Sequence, residues 1–149
     1  MIEREDIYGT VVLRLAHGKA NALDYELSRA IIECLDETET GDAEAVVLTG
    51  SGKIFSAGVD LFRVLNEDDQ YLDAFYPMLV NMFARVFAFR KPLVAAVNGH
   101  AVAGGCVLAC ACDFRVMGKG GGTMGVPELR VGVPFPTVAM EILRSAIDN

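Results

Sequence analysis

The sequence predicts an α/β fold in a single domain, and three observations lead to this prediction. The runs Ala45–Gly50 and Leu93–Val97 consist mainly of consecutive apolar residues, as is typical of strands covered on both faces of a sheet. Amphipathic helical patterns lie between such runs, so strands and helices alternate. The chain has 149 residues, of which 52% are hydrophobic and 22% charged, which suits one core and argues against disorder. We therefore expect one domain over residues 1–149, with right-handed crossovers.

The first strand and the first helix follow from local patterns. Thr10–Leu15 is rich in β-branched and aliphatic residues and predicts a strand. From residue 22 onward, apolar side chains recur at four-residue steps, which predicts an amphipathic helix. These side chains are Leu23, Leu27, Ile31 and Leu35.

Two later segments predict helices with different surfaces. Residues 71–90 carry one broad apolar stripe, which predicts a helix facing the core. The stripe consists of Phe75, Leu79, Met82, Phe83, Val86 and Phe87. Residues 104–112 are small and apolar on every side, which predicts a buried helix. Their three cysteines contain no CxxC pair, so we interpret Cys106, Cys110 and Cys112 as small buried residues, not metal ligands.

Charge and hydropathy exclude several classes of protein. The net charge is −7 and no cluster of Lys and Arg is present, which argues against binding to nucleic acid. Residues 1–6 are charged and lack the apolar core of a signal peptide. No run of eighteen apolar residues occurs. We expect a cytoplasmic protein with neither a nucleic-acid nor a membrane partner.

Two turns between a strand and a helix are the strongest indication of a functional site. Residues 54–61 have the sequence Ile-Phe-Ser-Ala-Gly-Val-Asp-Leu, and residues 98–106 have Asn-Gly-His-Ala-Val-Ala-Gly-Gly-Cys. Backbone N–H groups where a helix opens have no partner within it, and Ala and Gly leave them accessible to a ligand oxygen. Either turn alone is more often structural. Together, two such donors would form an oxyanion hole.

These turns, together with residues 91–99 (Lys-Pro-Leu-Val-Ala-Ala-Val-Asn-Gly) and residues 112–115 (Cys-Asp-Phe-Arg), resemble the crotonase (enoyl-CoA hydratase/isomerase) superfamily. The resemblance extends from about residue 10 to the end of the chain. It implies a spiral of ββα units, an acyl-CoA thioester as substrate, no cofactor beyond the CoA of that substrate, and a trimer or a dimer of trimers. Family members usually continue well beyond this length, so it also implies that the usual C-terminal helical region is lacking.

The resemblance assigns roles to individual residues. It places the oxyanion donors at Ala57 and Gly104 and the acid–base carboxylate at Glu128. Without the resemblance, a single Glu after Pro127 is more often a helix start. The loop from His17 resembles the family's CoA-gripping Lys-Ala-x-Asn-Ala-Leu loop but is one residue shorter. Contacts with substrate or CoA are expected at Lys19, Ala20, Ser56, Gly58, Asp60, Leu61 and Gly105.

Two departures from the family's hydratase pattern favour isomerisation. Hydratases carry a second Glu where this chain has Val107, and residues 133–137 (Val-Pro-Phe-Pro-Thr) replace their Pro-Gly-x-Gly-Gly segment. The 3,2-trans-enoyl-CoA isomerases are similar on both counts. One carboxylate suffices to move a proton between the α and γ carbons, whereas hydration usually needs two acids. We therefore expect an enoyl-CoA isomerase of fatty-acid or related acyl-CoA metabolism.

Two alternatives stay open beside the isomerase. The first is a hydratase or another CoA-thioester enzyme, for which a second acid would have to come from elsewhere. The acidic run around residues 67–73 is the available source, although such a run is more simply a solvated surface. The second is a truncated chain that binds acyl-CoA without turnover.

Basic residues and histidines add little to these assignments. CoA phosphates need local positive charge, and Lys19, Lys53 and Arg63 lie in or near the site segments, although each alone is more simply a surface charge. His17 and His100 have no nucleophile and acid in a known triad order. We assign neither histidine to catalysis.

Overall fold

A computed structural model describes residues 1–132 and 134–147, with the backbone alone described for Leu129 and Val131. Val133, the first residue of the predicted Val-Pro-Phe-Pro-Thr segment, lies outside this range. The strands are β1 (Ile2–Ile7), β2 (Thr10–Leu15), β3 (Ala45–Gly50), β4 (Ile54–Ser56), β5 (Leu93–Val97), β6 (His100–Val102), β7 (Phe114–Met117) and β8 (Met124–Gly125). The helices are α1 (Tyr25–Thr40), α2 (Leu61–Asn66), α3 (Asp69–Phe87), α4 (Gly104–Cys110), α5 (Glu128–Val131) and α6 (Thr137–Ile147).

The strands form two sheets. The larger has the order β1-β2-β3-β5-β7, and its neighbours are parallel except for the antiparallel pair β1 and β2. The smaller sheet has the order β4-β6-β8 and is parallel. From β3 onward, each strand of the large sheet is followed by one of the small sheet and then by helix. This repeat confirms the α/β class and the spiral of ββα units.

The predicted strands β2, β3 and β5 have the predicted bounds. Their burial differs between the two faces. In β5 the alternate residues Leu93, Ala95 and Val97 are buried, whereas the residues between them are half-buried. Continuous apolar sequence therefore corresponds to two covered faces, of which one is packed in the core and the other only partly shielded.

Capping residues decide where the first long helix begins. The prediction started this helix at residue 22, but α1 starts at Tyr25 because the Asp24 carboxylate accepts a hydrogen bond from the Leu27 N–H at 2.8 Å. The preceding residues are instead extended, and Leu23 pairs with Val59. The apolar spacing correctly predicts a helix, but Leu23, which the pattern places in its first turn, pairs with Val59 instead.

Helix α3 corrects the prediction at both ends. It begins at Asp69 because Asp68 caps it, accepting from the Tyr71 N–H at 2.9 Å, and it ends at Phe87. Phe87 was predicted on the core stripe but is 52% exposed, at the last position of the helix. The rest of the stripe packs in the core.

The helix α4 is buried over six of its seven residues, as predicted for residues 104–112. Cys106 is buried within it, Cys110 is half-buried at its end, and Cys112 is buried two residues beyond it. The outer strand β7 is exposed along its whole length, including Phe114 at 66% and Val116 at 64%. Within residues 1–132 and 134–147, no helix combines the length and the hydropathy that a membrane span requires.

Candidate active site

The two predicted turns lie against each other because β4 and β6 are neighbouring parallel strands, with Ser56 in register with Ala101. Gly58 lies at the contact between the turns. Its φ is +85°, and a Cβ there would lie 2.7 Å from the Gly104 nitrogen and 2.8 Å from the Ala103 Cβ. Any side chain at this position would push the turns apart.

The backbone N–H of Ala57 is not free. It donates to the carbonyl oxygen of Ala20 at 3.0 Å. The next N–H, that of Gly58, donates to the Ser56 hydroxyl oxygen at 3.2 Å, and this hydroxyl donates to the Asn21 carbonyl at 2.7 Å. In contrast to the sequence prediction, the Ala57 amide therefore ties the turn to the preceding loop. Ser56 does the same and is fully buried, so the prediction that it contacts substrate does not fit.

The free donor of the first turn belongs to Val59. Leu23 donates to the Gly58 carbonyl at 2.8 Å and accepts from the Asp60 N–H at 3.0 Å. In this parallel pairing the N–H of the intervening residue points away from Leu23. Among the described residues, the Val59 N–H has no acceptor. Sequence reasoning missed Val59 because the type of a side chain does not indicate the direction of the backbone N–H of the same residue.

The free donor of the second turn is Gly104. It is the first residue of α4, where an N–H has no acceptor within the helix. Ala103 before it has a φ of +55°, which bends the chain sharply from β6 into α4. The Gly104 amide is thus available as a donor, and Gly58 lies across the contact, with its Cα 3.5 Å from the place of a Cβ on Gly104.

A cavity of about 550 Å³ opens at the two turns. Val59, Ala57, Gly104 and Glu128 line it, and so does Leu61. The remaining walls, from α2, α3, α4 and α6, are largely apolar. They include Val64, Leu72, Phe75, Leu79, Phe83, Val107 and Ala139.

Glu128 is the carboxylate of this cavity. It is the first residue of α5 and is 9% exposed. Its Oε2 is buried without a hydrogen-bond partner among the described residues. A buried polar atom without a partner costs free energy and requires an explanation, which a substrate can supply. Val107, where hydratases of the family have their second Glu, lines the same cavity and is 1% exposed.

The loop before α1 is fastened to β4. Asn21 donates through its amide nitrogen to the carbonyls of Ile54 at 3.2 Å and Phe55 at 3.1 Å. Its Oδ1 accepts from the His17 N–H at 2.9 Å. The predicted CoA contacts Lys19 and Ala20 lie in this loop, with Lys19 exposed and the Ala20 carbonyl engaged by Ala57.

Other predicted contacts shape the turns. Asp60 caps α2, accepting from the Arg63 N–H at 3.0 Å. A Cβ on Gly105 would lie 2.2 Å from the Ser56 carbonyl oxygen, so Gly105 permits α4 to pack closely on β4. Arg63, which the sequence offered for CoA phosphates, pairs with Glu26 instead. Lys53 is exposed.

The acidic run does not reach the cavity. Glu67, Asp68, Asp69 and Asp73 are exposed, and none of them lines the cavity that the described residues enclose. Glu67 pairs with Arg63, and Asp68 caps α3. Their placement agrees with a solvated, structural role.

Residues 7–148 match the sequence profile of the family described as enoyl-CoA hydratase/isomerase. The chain belongs to the enoyl-CoA hydratase/isomerase family. The resemblance drawn from the motifs is thereby confirmed.

Relatives within the enoyl-CoA hydratase/isomerase family carry both kinds of name. A Thermus thermophilus protein named as an enoyl-CoA hydratase is 38% identical, over 97% of this chain and 58% of its own. The 2,3-dehydroadipyl-CoA hydratase of Escherichia coli is 38% identical, over 76% of this chain and 44% of its own. Enoyl-CoA delta isomerase 1 of Rattus norvegicus is 27% identical, over 91% of this chain and 48% of its own.

Solved structures of the enoyl-CoA hydratase/isomerase family share the fold. A family protein from Pseudomonas syringae superposes with a TM-score of 0.88 at 27% identity, over 97% of this chain and 62% of its own. DspI of Pseudomonas aeruginosa gives a TM-score of 0.85 at 28% identity, over 95% and 59%. The chain thus spans about half the length of the curated relatives and somewhat more of the solved structures.

Proposed function

We propose that this chain stabilises the enolate of an acyl-CoA thioester and moves the double bond of a 3-enoyl-CoA to the 2-position. One observation carries the proposal. Among the described residues, Glu128 is the single carboxylate that lines the cavity, and Val107 occupies the place of a second one. A single base can serve both ends of a proton transfer, whereas hydration usually shares the work between two acids.

The oxyanion donors are the N–H groups of Val59 and Gly104. They bind the thioester oxygen while negative charge develops on it, and loss of one such donor typically costs about 3–4 kcal/mol. Val59 takes the place that the sequence assigned to Ala57, because the Ala57 amide already donates to Ala20. Donors fixed in advance stabilise the enolate without reorganisation.

Glu128 is the proton shuttle. It removes a proton from the α carbon of the 3-enoyl-CoA, which gives the enolate, and returns it to the γ carbon, which leaves the double bond between the α and β carbons. The unpartnered Oε2 supports this role, since no protein donor holds it in the described structure. Rate contributions of about 100- to 10,000-fold are typical of such a base.

The acyl group is apolar in this proposal. Val64, Leu79 and Phe83 are typical of the cavity walls, and no Lys or Arg lines the cavity among the described residues. A tail with a terminal carboxylate would leave a charge without a partner. This favours substrates of fatty-acid or related acyl-CoA metabolism over dicarboxylic ones.

The remaining parts of the proposal concern CoA, assembly and location. The loop with Lys19 and Ala20, helped by Lys53, binds the CoA nucleotide. The exposed apolar side chains of β7, such as Phe114 and Val116, support a homo-oligomer, a trimer or hexamer. The protein acts in the cytoplasm, without a nucleic-acid or membrane partner and with no cofactor besides CoA.

The test is turnover of two substrates of equal chain length, a 3-enoyl-CoA and a 2-enoyl-CoA, with binding of each recorded by calorimetry. We expect double-bond migration of the first and no hydration of the second. Hydration would replace the proposal by the hydratase. Binding without either reaction would replace it by a chain that holds acyl-CoA without turnover.

A further inference from the structure

The helix α2 is held by polar contacts as well as by apolar packing, in which the half-buried Val64 contacts the core. None of its residues is buried. Yet α2 follows Val59 almost directly, and its residues Leu61 and Val64 form part of the cavity wall. Helices of globular proteins are usually held by packing of an apolar face. The backbone bonds of Leu23 to Gly58 and Asp60 fix the start of this segment, and side-chain contacts of α2 add to them.

Arg63 supplies these interactions. Its two Nη atoms bond both carboxylate oxygens of Glu26, with Nη2 at 3.0 Å from Oε1. Nη1 also bonds Asp24 Oδ2 at 3.2 Å, and Nε bonds Glu67 at 3.2 Å. The guanidinium lies 4.7 Å from the centre of the Tyr71 ring. The hydrogen bond from Arg63 holds the pKa of Glu26 below its usual range.

The anchor for Arg63 is rigid. Asp24 has a side chain only 6% exposed, and its other oxygen caps α1 by accepting from Leu27. The same Oδ2 that bonds Arg63 lies 2.7 Å from His17 Nε2. Bidentate and charge-assisted bonds of this kind fix geometry as well as contribute free energy. Arg63 therefore joins α2 to the N-terminal end of α1 and to α3.

A second arginine, Arg85, has partners of the same kinds, carboxylates and an aromatic ring, but lies away from the cavity. Arg85 joins α3 to the C-terminal part of α1, with Nε 2.7 Å from Asp36 and Nη2 2.8 Å from Glu39. Its guanidinium lies 5.5 Å from the centre of the Phe89 ring. Arg85 does not line the cavity. Because the two clusters are chemically similar, an Arg85 variant is a control that separates a local effect at the site from a general loss of stability.

We propose that Arg63 is a positioning residue that holds α2, and with it the Val59 amide, in line with the Gly104 amide. This inference rests on the proposed function. Without Arg63, the carboxylates of Asp24, Glu26 and Glu67 face one another and repel. The N-terminal part of α2 then moves, and the N–H groups of Val59 and Gly104 no longer point at the same thioester oxygen.

The test compares R63M, R63K and R85M with the wild type. The probe is cinnamoyl-CoA, because its conjugated thioester absorbs at longer wavelength when its carbonyl oxygen accepts strong hydrogen bonds. At saturation, we expect R63M to lose most of this red shift. Its kcat for a 3-enoyl-CoA should fall about tenfold or more, with a smaller change in KM. R63K should be intermediate, since lysine keeps the charge but not the bidentate geometry.

R85M should lower the thermal midpoint but leave the spectral shift and kcat as in the wild type. The inference is overturned if R63M and R63K keep the wild-type shift and kcat, or if R85M loses the shift to the same extent. If R63M does not fold, R63K decides between these outcomes. A wild-type protein that neither polarises cinnamoyl-CoA nor turns over 3-enoyl-CoA overturns the proposed function itself.

Discussion

Two cavities share the helix α4 and differ in chemistry. The first, of about 550 Å³, is lined by Gly104 and Val107 of this helix together with Glu128. The second cavity, of about 660 Å³, is lined by Cys110, the last residue of α4, and by charged residues that include Asp113. The larger and more polar cavity is the one to which we assign no function.

Satisfied hydrogen bonds explain this choice. In the second cavity, Lys91 Nζ donates to the carbonyls of Thr38 at 2.9 Å and Gly41 at 2.7 Å. Asp113 accepts from the Leu93 N–H at 2.8 Å. The side chains of Lys91 and Asp113 therefore have partners within the fold and stabilise it. In contrast, Oε2 of Glu128 in the first cavity has no hydrogen-bond partner among the described residues. A group left without a partner indicates a site better than volume or charge does.

The largest effect is expected for Glu128→Gln. The amide cannot accept the transferred proton, so kcat for a 3-enoyl-CoA should fall by at least about 100-fold. Binding of the CoA thioester, measured by calorimetry, should be kept because the donors of Val59 and Gly104 are untouched. Glu141→Gln, on the exposed surface of α6, is the matched control and should leave both quantities unchanged. Wild-type turnover in Glu128→Gln would contradict the assignment.

Val107→Glu tests whether the absence of a second carboxylate determines the reaction proposed for the first cavity. A second carboxylate on α4 should raise hydration of 2-enoyl-CoA above the wild-type rate, because water can then be activated while the α carbon is protonated. Burying a carboxylate at a site that is 1% exposed should also lower stability by about 1–3 kcal/mol. Val107→Gln is the control of equal shape. Equal hydration rates in the two variants would show that the absent second carboxylate does not determine the reaction.

Gly58→Ala tests the close approach of the two turns. The added Cβ would lie 2.7 Å from the Gly104 nitrogen at a φ of +85°. We expect a loss of about 1–3 kcal/mol in the free energy of unfolding, measured with urea, together with reduced turnover. Gly118→Ala has nothing within 4 Å of the added Cβ and should change stability by less than about 0.5 kcal/mol. Similar losses for both variants would argue against a special role of the contact.

The smallest effect on turnover is expected for modification of Cys110 in the second cavity. A hydrogen bond from the Cys106 thiol lowers the pKa of Cys110 below that of an ordinary cysteine. Because the thiolate is the nucleophile, alkylation of Cys110 by iodoacetamide should begin at a lower pH than alkylation of an ordinary cysteine. Cys112 should stay unmodified, since burial raises its pKa to about 12.

Mass spectrometry of the alkylated peptides and turnover of the same samples check this. Cys110→Ser should remove the pH-dependent reaction and keep turnover. Loss of turnover in step with Cys110 alkylation would show that the second cavity takes part in function.

Much of the fold was predictable because strands and helices follow local patterns. β2, β3 and β5 have the predicted bounds, since short runs rich in β-branched and aliphatic residues favour covered strands. The start of α1 was not predictable from periodicity, because Leu23 satisfies a helical pattern but pairs with Val59 instead. Where a residue fits two local structures, its long-range partner determines which of the two it adopts.

The candidate site divides in the same way. Motif resemblance selected Glu128 and Gly104, and the structure brings both to one cavity. It was not enough to choose between Ala57 and Val59, which are both small or apolar residues of the same turn. That choice depends on the carbonyl of Ala20, which lies on another segment and takes the Ala57 amide.

The sequence by itself determined the family, the main strands and helices of the core, and the chemical groups that are available for catalysis. These depend on side-chain identity and on spacing along the chain. The tertiary structure decided which backbone amide is free, which carboxylate lacks a partner, and which arginine stands beside the site. Each of these depends on hydrogen bonds between segments distant in sequence, such as that from Arg63 to Glu26, and no local pattern records them.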